Sequence, residues 1–272
     1  MTTRRHKFRR LVLGLQPGTP ATSVQVTARL AATLQLELLG LFLAEGGLRE
    51  LAGLPFVHEI TLTGGRRSID FQQISGDIAF RAQELERMFA AAVQGLSIAT
   101  EFQIRKGSVQ DCVAEFSRTE DILVVSEPEK PADRAAAQFA WFLETACRSS
   151  AAVLLIPPAV IRSSGSIMAI AATADDPSIA AAALIAEATN ERLIIVDTGH
   201  APDSQAIGKR TGTLGQNVKH IAMSIEQLRA DLMFDRNLSD VQERLIVLTR
   251  GARSKSTALA IASEREVPVL IV

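Results

Sequence analysis

The segment with the richest potential chemistry is TRGARSKSTALA, Thr249 to Ala260. It combines the single glycine Gly251 with the cations Arg250, Arg253 and Lys255 and with several hydroxyl groups. Backbone amides at a glycine, cationic side chains and a helix N-terminus can together bind phosphate. The segment is interpreted as a solvated, charged helix start with ordinary capping. The alternative is an anion or nucleotide site, with ligating residues Gly251, Arg253, Ser254 and Ser256.

The rest of the chain offers little else for catalysis or metal binding. The histidines show no ligand spacing with one another or with the cysteines; they are His6, His58, His200 and His220. Cys112 and Cys147 are expected to be packing residues, because no neighbouring base can be inferred for either thiol. We therefore predict no catalytic residue, no metal and no enzymatic activity.

The composition of the chain limits the kinds of molecule that the protein is expected to bind. The formal net charge is -1, so no global field favours nucleic acid or an anionic membrane. Tyrosine is absent and aromatic residues total 4%, which disfavours a base-stacking surface. No stretch approaches the ~18 apolar residues of a membrane span, and the two cysteines form no disulfide framework. We expect a cytoplasmic protein that binds neither nucleic acid nor membrane. The basic segment RRHKFRR is interpreted as a solvated leader, with an anionic partner as the alternative.

Short continuous apolar runs alternate with helical patterns, which is typical of parallel strands buried on both faces. Predicted strands of the first half are Arg10–Leu15, Leu36–Leu43, Ile98–Arg105, Asp121–Ser126 and Ala152–Ile156, and predicted helices are Ala21–Leu34, Phe71–Val93, Ser108–Ser117 and Asp133–Arg148. Predicted strands of the second half are Ile167–Ala172, Arg192–Asp197, His220–Ser224, Arg244–Thr249 and Pro268–Val272, and predicted helices are Ser178–Asn190, Ile225–Asn237 and Ala252–Glu264.

The two halves repeat the same order of elements. Both open with an apolar strand, a turn containing Pro20 or Pro177, a helix and a second apolar strand. DILVVSEP corresponds to RLIVLTRG, and AAVLLIPP corresponds to VPVLIV. Such self-similarity indicates a duplicated unit. We predict an α/β fold with two tandem domains, 1–158 and 165–272, each an open, doubly wound five-stranded parallel sheet with helices on both faces.

This order of strands resembles the universal stress protein family in a tandem form. The resemblance rests on RRLVLGLQPG as the opening strand and turn, on GSVQDCVAEFSRTEDILVVS, and on AAVLLIPP as a last strand. It implies a five-stranded parallel sheet in each unit and dimers formed through the last strand. It also implies ATP binding by an Asp at the end of the first strand and by a glycine-rich loop after the fourth.

Both halves depart from the nucleotide pattern that the resemblance implies. Gln16 stands where the Asp would fall in the first half, and Ser126–Lys130 contains two carboxylates and no glycine. Carboxylates at the place of the phosphates would repel them. In the second half Ala172 takes the place of the Asp, although Asp175 and Asp176 follow in the same turn.

These departures favour a non-enzymatic, stress-associated regulatory or scaffolding protein that has largely lost the family ATP site and needs no cofactor. The alternative is an adenine-nucleotide switch that binds ATP with the second domain alone. We expect a protein partner or self-association, as a homodimer or as an intrachain pair that buries the strands ending at Ile156 and Val272. The insertion Glu45–Ile60 is expected to cover a sheet edge or to form an interaction patch.

Overall fold

The computed structural model describes residues 8–16, 18–45, 58–60, 65–68, 71–134, 137–199, 217–224, 227–228, 242–251 and 254–272. Over these residues it shows an α/β protein with one large, mostly parallel sheet between two layers of helices. Among the described helices, none combines the length and the apolar character that a bilayer crossing requires.

The first half supplies five strands to the large sheet and a separate two-stranded hairpin. Its elements are β1 (Arg10–Leu15), α1 (Ala21–Leu34), β2 (Glu37–Glu45), β3 (His58–Ile60), β4 (Arg66–Ser68), α2 (Phe71–Val93), β5 (Thr100–Gly107), α3 (Val109–Phe116), β6 (Asp121–Ser126), α4 (Pro131–Arg134), α5 (Ala137–Arg148) and β7 (Ala152–Ile156).

Within the described residues, the second half supplies five further strands to the same sheet. Its elements are β8 (Ser166–Ala171), α6 (Pro177–Thr189), β9 (Leu193–Asp197), β10 (Val218–Ala222), β11 (Glu243–Leu248), α7 (Ser254–Arg265) and β12 (Val269–Ile271).

Strand order gives the two halves the same topology. The sheet runs β10-β9-β8-β11-β12-β7-β6-β1-β2-β5, and every neighbouring pair within a half is parallel. The halves meet where β12 and β7 pair antiparallel, with Leu270 opposite Leu154. The two last strands therefore join the halves into one ten-stranded sheet, and the fold class predicted from the apolar runs is confirmed.

The sheet has an apolar core on each face because successive side chains of a strand point to opposite sides. Leu11 and Leu13 of β1 belong to the core on one face, which includes residues of α1, α2 and α6, whereas Val12 belongs to the core on the other, which includes residues of α3, α5 and α7. Gly14 allows a close approach of α5: a Cβ at this position would lie 2.4 Å from Cζ of Phe142.

Several element boundaries differ from their predictions. β5 begins two residues later than predicted, and β10 begins two residues earlier. The helix predicted to begin at Asp133 begins at Pro131, because the backbone N–H groups of Asp133 and Arg134 bond to the carbonyl of Lys130; its described residues are α4 and α5. The predicted helix Ile225–Asn237 and the insertion Glu45–Ile60 lie largely outside the described residues. The domain limits 1–158 and 165–272 stay a prediction.

Candidate functional site

Each half has one topological switch point, where the connections from two neighbouring strands leave in opposite directions. It lies between β1 and β6 in the first half and between β8 and β11 in the second. Ligands of open α/β sheets bind in the crevice at the carboxyl ends of such strands. The loops that follow these four strands are therefore the places to look for a ligand site.

The turn after β1 is closed by its own hydrogen bonds and by α4. The backbone N–H of Gln16 donates to Oγ1 of Thr19 over 2.9 Å. Gly18 has φ of +87°, and a Cβ there would lie 3.1 Å from Oδ2 of Asp133. The carboxylate of Asp133 thus lies beside the backbone of the turn.

The loop after β6 places a second carboxylate in the interior. Glu127 is 7% exposed, and its Oε1 accepts a hydrogen bond of 3.2 Å from Nη1 of Arg134. Within the described residues, Oε2 of Glu127 and Oγ of Ser126 are buried without a hydrogen-bond partner. The first switch point therefore has the carboxylate of Glu127, its partner Arg134 and the hydroxyl of Ser126 beside it.

The second switch point is occupied by the buried carboxylate of Asp176, which is the N-cap of α6. Its Oδ2 accepts from the backbone N–H of Ala172 over 3.1 Å, and its Oδ1 accepts from N–H and Oγ–H of Ser178 over 3.0 and 2.7 Å. Oγ1 of Thr249, the residue after β11, also donates to Oδ1. The carboxylate therefore links the loops after β8 and β11.

Burial by itself would raise the pKa of Asp176. The hydrogen bonds from Thr249, from Ser178 and from the backbone of Ala172 act in the opposite direction, and the pKa lies below its ordinary value. Asp176 is thus a stable anion at the N-terminus of α6, the end of a helix that carries partial positive charge.

The hydroxyl of Thr249 has a counterpart in the first half. Leu248 pairs with Ile170 of β8, and Val125 pairs with Gly14 of β1, so Thr249 and Ser126 follow equivalent positions. The N-cap of α1 is Pro20, which makes no side-chain cap. Ser126 therefore lacks the carboxylate partner that Thr249 has.

The predicted anion site after β11 is only partly described. Gly251 is exposed, and a Cβ there would meet nothing within 4 Å. Ser254 begins α7, and its Oγ donates to the carbonyl of Gly251 over 2.9 Å. Ser256 is exposed in the first turn of α7 and makes an interaction of its own. Arg253 lies outside the described residues, so the predicted convergence of these four residues stays a prediction.

The two described cations of this segment contact the first half. Arg250 donates from Nη1 to the carbonyl of Ser149 and from Nη2 to the carbonyl of Ala151, which follow the C-terminus of α5. Lys255 forms an ion pair with Glu144 of α5, and this contact lowers the pKa of Glu144. A cation at a helix C-terminus is favourable because of the partial negative charge there. Both side chains thus tie α7 and the end of β11 to α5.

Neither the capping role of Asp176 nor the contacts of Arg250 were predicted from the sequence, and the reasons differ. The cap of α6 had a local signal, since an aspartate followed by Pro at the first helical position and Ser is typical of a helix start. The contacts of Arg250 had none, because its partners are about 100 residues away and are backbone atoms.

The cysteines have the environment of packing residues. Burial raises the pKa of the Cys112 thiol, and nearby Glu115 and Asp111 raise it further. Burial also raises the pKa of Cys147, against the opposing effect of Arg250. A raised pKa lowers the thiolate fraction, so neither thiol is activated as a nucleophile. Within the described ranges, no group of three or more His, Cys, Asp or Glu side chains is placed to hold a metal ion.

No protein-family model matches the chain, and no curated protein matches it.

Solved structures are similar in three dimensions. A universal stress protein from Archaeoglobus fulgidus DSM 4304 superposes with a TM-score of 0.67 at 15% identity, over 96% of this chain and 95% of that one. A functionally unknown protein from Pseudomonas aeruginosa PAO1 superposes with a TM-score of 0.50 at 16% identity, over 97% and 92% of the two chains. These likenesses, together with the strand order, show that the chain has the fold of universal stress proteins.

Proposed function

We propose that this protein is a non-enzymatic regulatory or scaffolding protein of the universal stress type, which acts in the cytoplasm through association with a protein partner or with itself. In this proposal neither half holds ATP in the family manner. The stress association rests on the resemblance of the chain to that family and on its fold.

One observation carries the proposal: Arg250 and Lys255, the described cations beside the candidate phosphate loop, bond to α5 of the other half. Their charges are already compensated by two carbonyls and by Glu144. An incoming phosphate would have to break these contacts to recruit either side chain. The segment therefore supports a role in holding the two halves together.

The carboxylates at the switch points support the same conclusion. Asp176 lies at the N-terminus of α6, and Glu127 is buried after β6. A phosphate placed near Asp176 would meet like charge in a poorly solvated crevice, where such repulsion is weakly screened. A phosphate near Glu127 would have to compete with that carboxylate for Arg134. A nucleotide would thus be disfavoured in both halves.

The proposal is tested by a thermal-shift titration with ATP and Mg²⁺, paired with mass spectrometry of small molecules released from the denatured protein. Free ATP at 100 times the Kd of a site would add about 2.7 kcal/mol to the stability of the folded state. For a chain of this size that gain corresponds to a rise in Tm of about 5–10 °C. We expect a shift below about 1 °C at millimolar ATP, no co-purified nucleotide and no ATP hydrolysis.

Two results, a large stabilisation by ATP or hydrolysis of ATP, would contradict the proposal. A large shift that Arg253→Ala abolishes, while Arg81→Ala at an exposed arginine of α2 leaves it unchanged, would replace the scaffold by a nucleotide switch in the second half. Hydrolysis of ATP by the purified chain would contradict the non-enzymatic role.

Association can be tested by mutating the sole tryptophan, Trp141, which is 66% exposed on α5. With Gln110 and Thr145 it lines a shallow depression between α3 and α5. Exposed tryptophans are frequent anchors of protein interfaces. We expect Trp141→Ser to weaken partner capture or self-association, measured by quantitative affinity capture and by sedimentation, with Phe80→Ser on α2 as the matched exposed control. Equal loss in both variants would contradict a localised interface.

A further inference from the structure

A cavity lies at the junction of the two halves, away from both switch points. Its apolar walls are Val26 and Leu30 of α1, Leu154 of β7, Leu245 of β11 and Pro268. Leu154 and Leu245 are almost completely buried, with 1% and 3% exposure. The cavity has a volume of about 70 Å³ and opens to solvent. It is therefore an apolar recess that exists only because the two halves share one sheet.

Three arginines border this recess: Arg29 of α1, Arg162 of the segment between the halves, and Arg244 of β11. Arg244 is fixed by an ion pair of 2.5 Å from its Nε to Oε2 of Glu191 and by a hydrogen bond of 3.0 Å from its Nη1 to the carbonyl of Ser163. It is thus a cation held in place by the protein.

Arg162 and Arg29 are bonded less strongly to the protein than Arg244. Nη1 of Arg162 lies 3.4 Å from the carbonyl of Glu243 and 3.6 Å from its Oε1, and both distances are long for charged groups. Within the described part of the chain, the exposed guanidinium of Arg29 has no hydrogen-bond or ion-pair partner. Both guanidinium groups therefore keep donors for an incoming anion.

The charges around the recess do not cancel. Glu243 is shared between Arg162 and Arg265, whose Nε lies 2.7 Å from its Oε1, and Glu191 pairs with Arg244. Among the described residues, three guanidinium groups line the recess and two carboxylates pair with them, which leaves one positive charge. The whole chain has a net charge of -1, so this surplus is local.

We propose that the recess binds a small organic anion with an apolar body, such as an alkyl or aryl carboxylate, sulfonate or phosphate monoester. The apolar walls cover the body, and the anionic group accepts hydrogen bonds from Arg29 and Arg162. Guanidinium groups suit this task because they present several donors in one plane to an oxyanion. The ligand would contact both halves and the segment that connects them.

The test uses the full chain and 8-anilinonaphthalene-1-sulfonate as a fluorescent probe, with octanoate as the competitor. We expect saturable binding at one site and displacement by octanoate. Octanol and octylamine, which have the same chain without the negative charge, should displace the probe at least tenfold less effectively. The double variant Arg29→Gln/Arg162→Gln should bind probe and octanoate about tenfold more weakly, which corresponds to about 1.4 kcal/mol. Arg81→Gln, an exposed arginine of α2, should leave the affinity unchanged.

Two further variants keep the proposal falsifiable. Arg29→Gln alone removes a group without a partner in the described residues, so it should leave the circular dichroism and Tm unchanged while weakening octanoate severalfold. Val26→Phe fills the apolar wall and should abolish binding with all three arginines present. Equal displacement by octanol and octanoate, or an unchanged affinity in Arg29→Gln and in the double variant, would overturn the proposal.

Discussion

The carboxylate of Asp176 should be the most sensitive polar group of the second half, and Asp176→Asn isolates its charge. The side chain accepts from the backbone N–H groups of Ala172 and Ser178, from Oγ–H of Ser178 and from Oγ1–H of Thr249. An asparagine retains one acceptor oxygen and places an NH₂ group where a second oxygen was. At least one donor then faces another donor inside the protein.

The expected loss in free energy of unfolding follows from the hydrogen bonds that Asp176→Asn removes. A hydrogen bond to a charged acceptor contributes about 1.5–3 kcal/mol, and loss of an N-cap costs about 0.5–2 kcal/mol. These contributions overlap, because the cap of α6 is one of the four bonds. We expect Asp176→Asn to lower the free energy of unfolding by about 2–3 kcal/mol, which lowers Tm by about 4–10 °C in a chain of this size.

The pH dependence gives the prediction a second readout. The pKa of Asp176 is lowered in the folded state, so its charged form stabilises the fold. That contribution is fully present above the unfolded pKa of about 3.9 and is lost as the pH falls through the folded pKa. The wild-type protein and Asp176→Asn should therefore differ most near neutral pH and converge in acid.

The assay is Tm by circular dichroism, measured from pH 7 to about pH 3, with Asp175→Asn as the matched control. Asp175 is the exposed neighbour and accepts a hydrogen bond of 2.9 Å from Oγ1 of Thr173. Its substitution should change stability by less than about 0.5 kcal/mol. The reasoning is refuted if Asp176→Asn and Asp175→Asn have the same Tm at pH 7, or if the Asp176→Asn difference does not shrink in acid.

Three further predictions concern a buried ion pair and two glycines. Glu243→Gln removes the carboxylate charge that pairs with the buried guanidinium of Arg265 and should cost about 3–5 kcal/mol in urea unfolding; a loss below about 1 kcal/mol would contradict the burial of this pair. Gly14→Ala brings a methyl group against Phe142 and should cost about 1–3 kcal/mol, part of which Phe142→Leu should restore. Gly76→Ala, in an open position within α2, should instead stabilise by about 0.5–1 kcal/mol, and a loss in this variant would argue against the helix.

The fold could be predicted because each apolar run carries its own signal. β1, β6 and β7 were predicted at their observed limits, since four to six consecutive residues that are apolar or glycine, bounded by polar residues or proline, define a strand that is buried on both faces. β5 was misplaced by two residues because it is an edge strand, with polar side chains such as Glu101 and Arg105 along its exposed side.

The candidate site was harder to predict because its contacts join distant parts of the chain. Nothing in the sequence around Arg250 indicates that its guanidinium would reach the carbonyls after α5. The sequence showed which chemistry the segment carries, namely cations and hydroxyls beside a helix start. It could not show whether those groups would face solvent or the other half, since that depends on the packing of two units about the β7–β12 pair.

The junction between β7 and β12 also changes what a single mutation can do. The backbone N–H of Glu127 donates to the carbonyl of Ile156, and that of Arg250 donates to the carbonyl of Val272, each over 2.8 Å, so the two residues hold matching places in the halves. In a dimer of identical chains such places must carry the same side chain, and every substitution occurs twice. Here one is an acid bonded within its own half and the other a base that reaches across the junction. Covalent linkage also keeps the two units at a high effective concentration however dilute the protein is. The side chains of one unit can therefore change while the other unit keeps its own and β7 stays paired with β12.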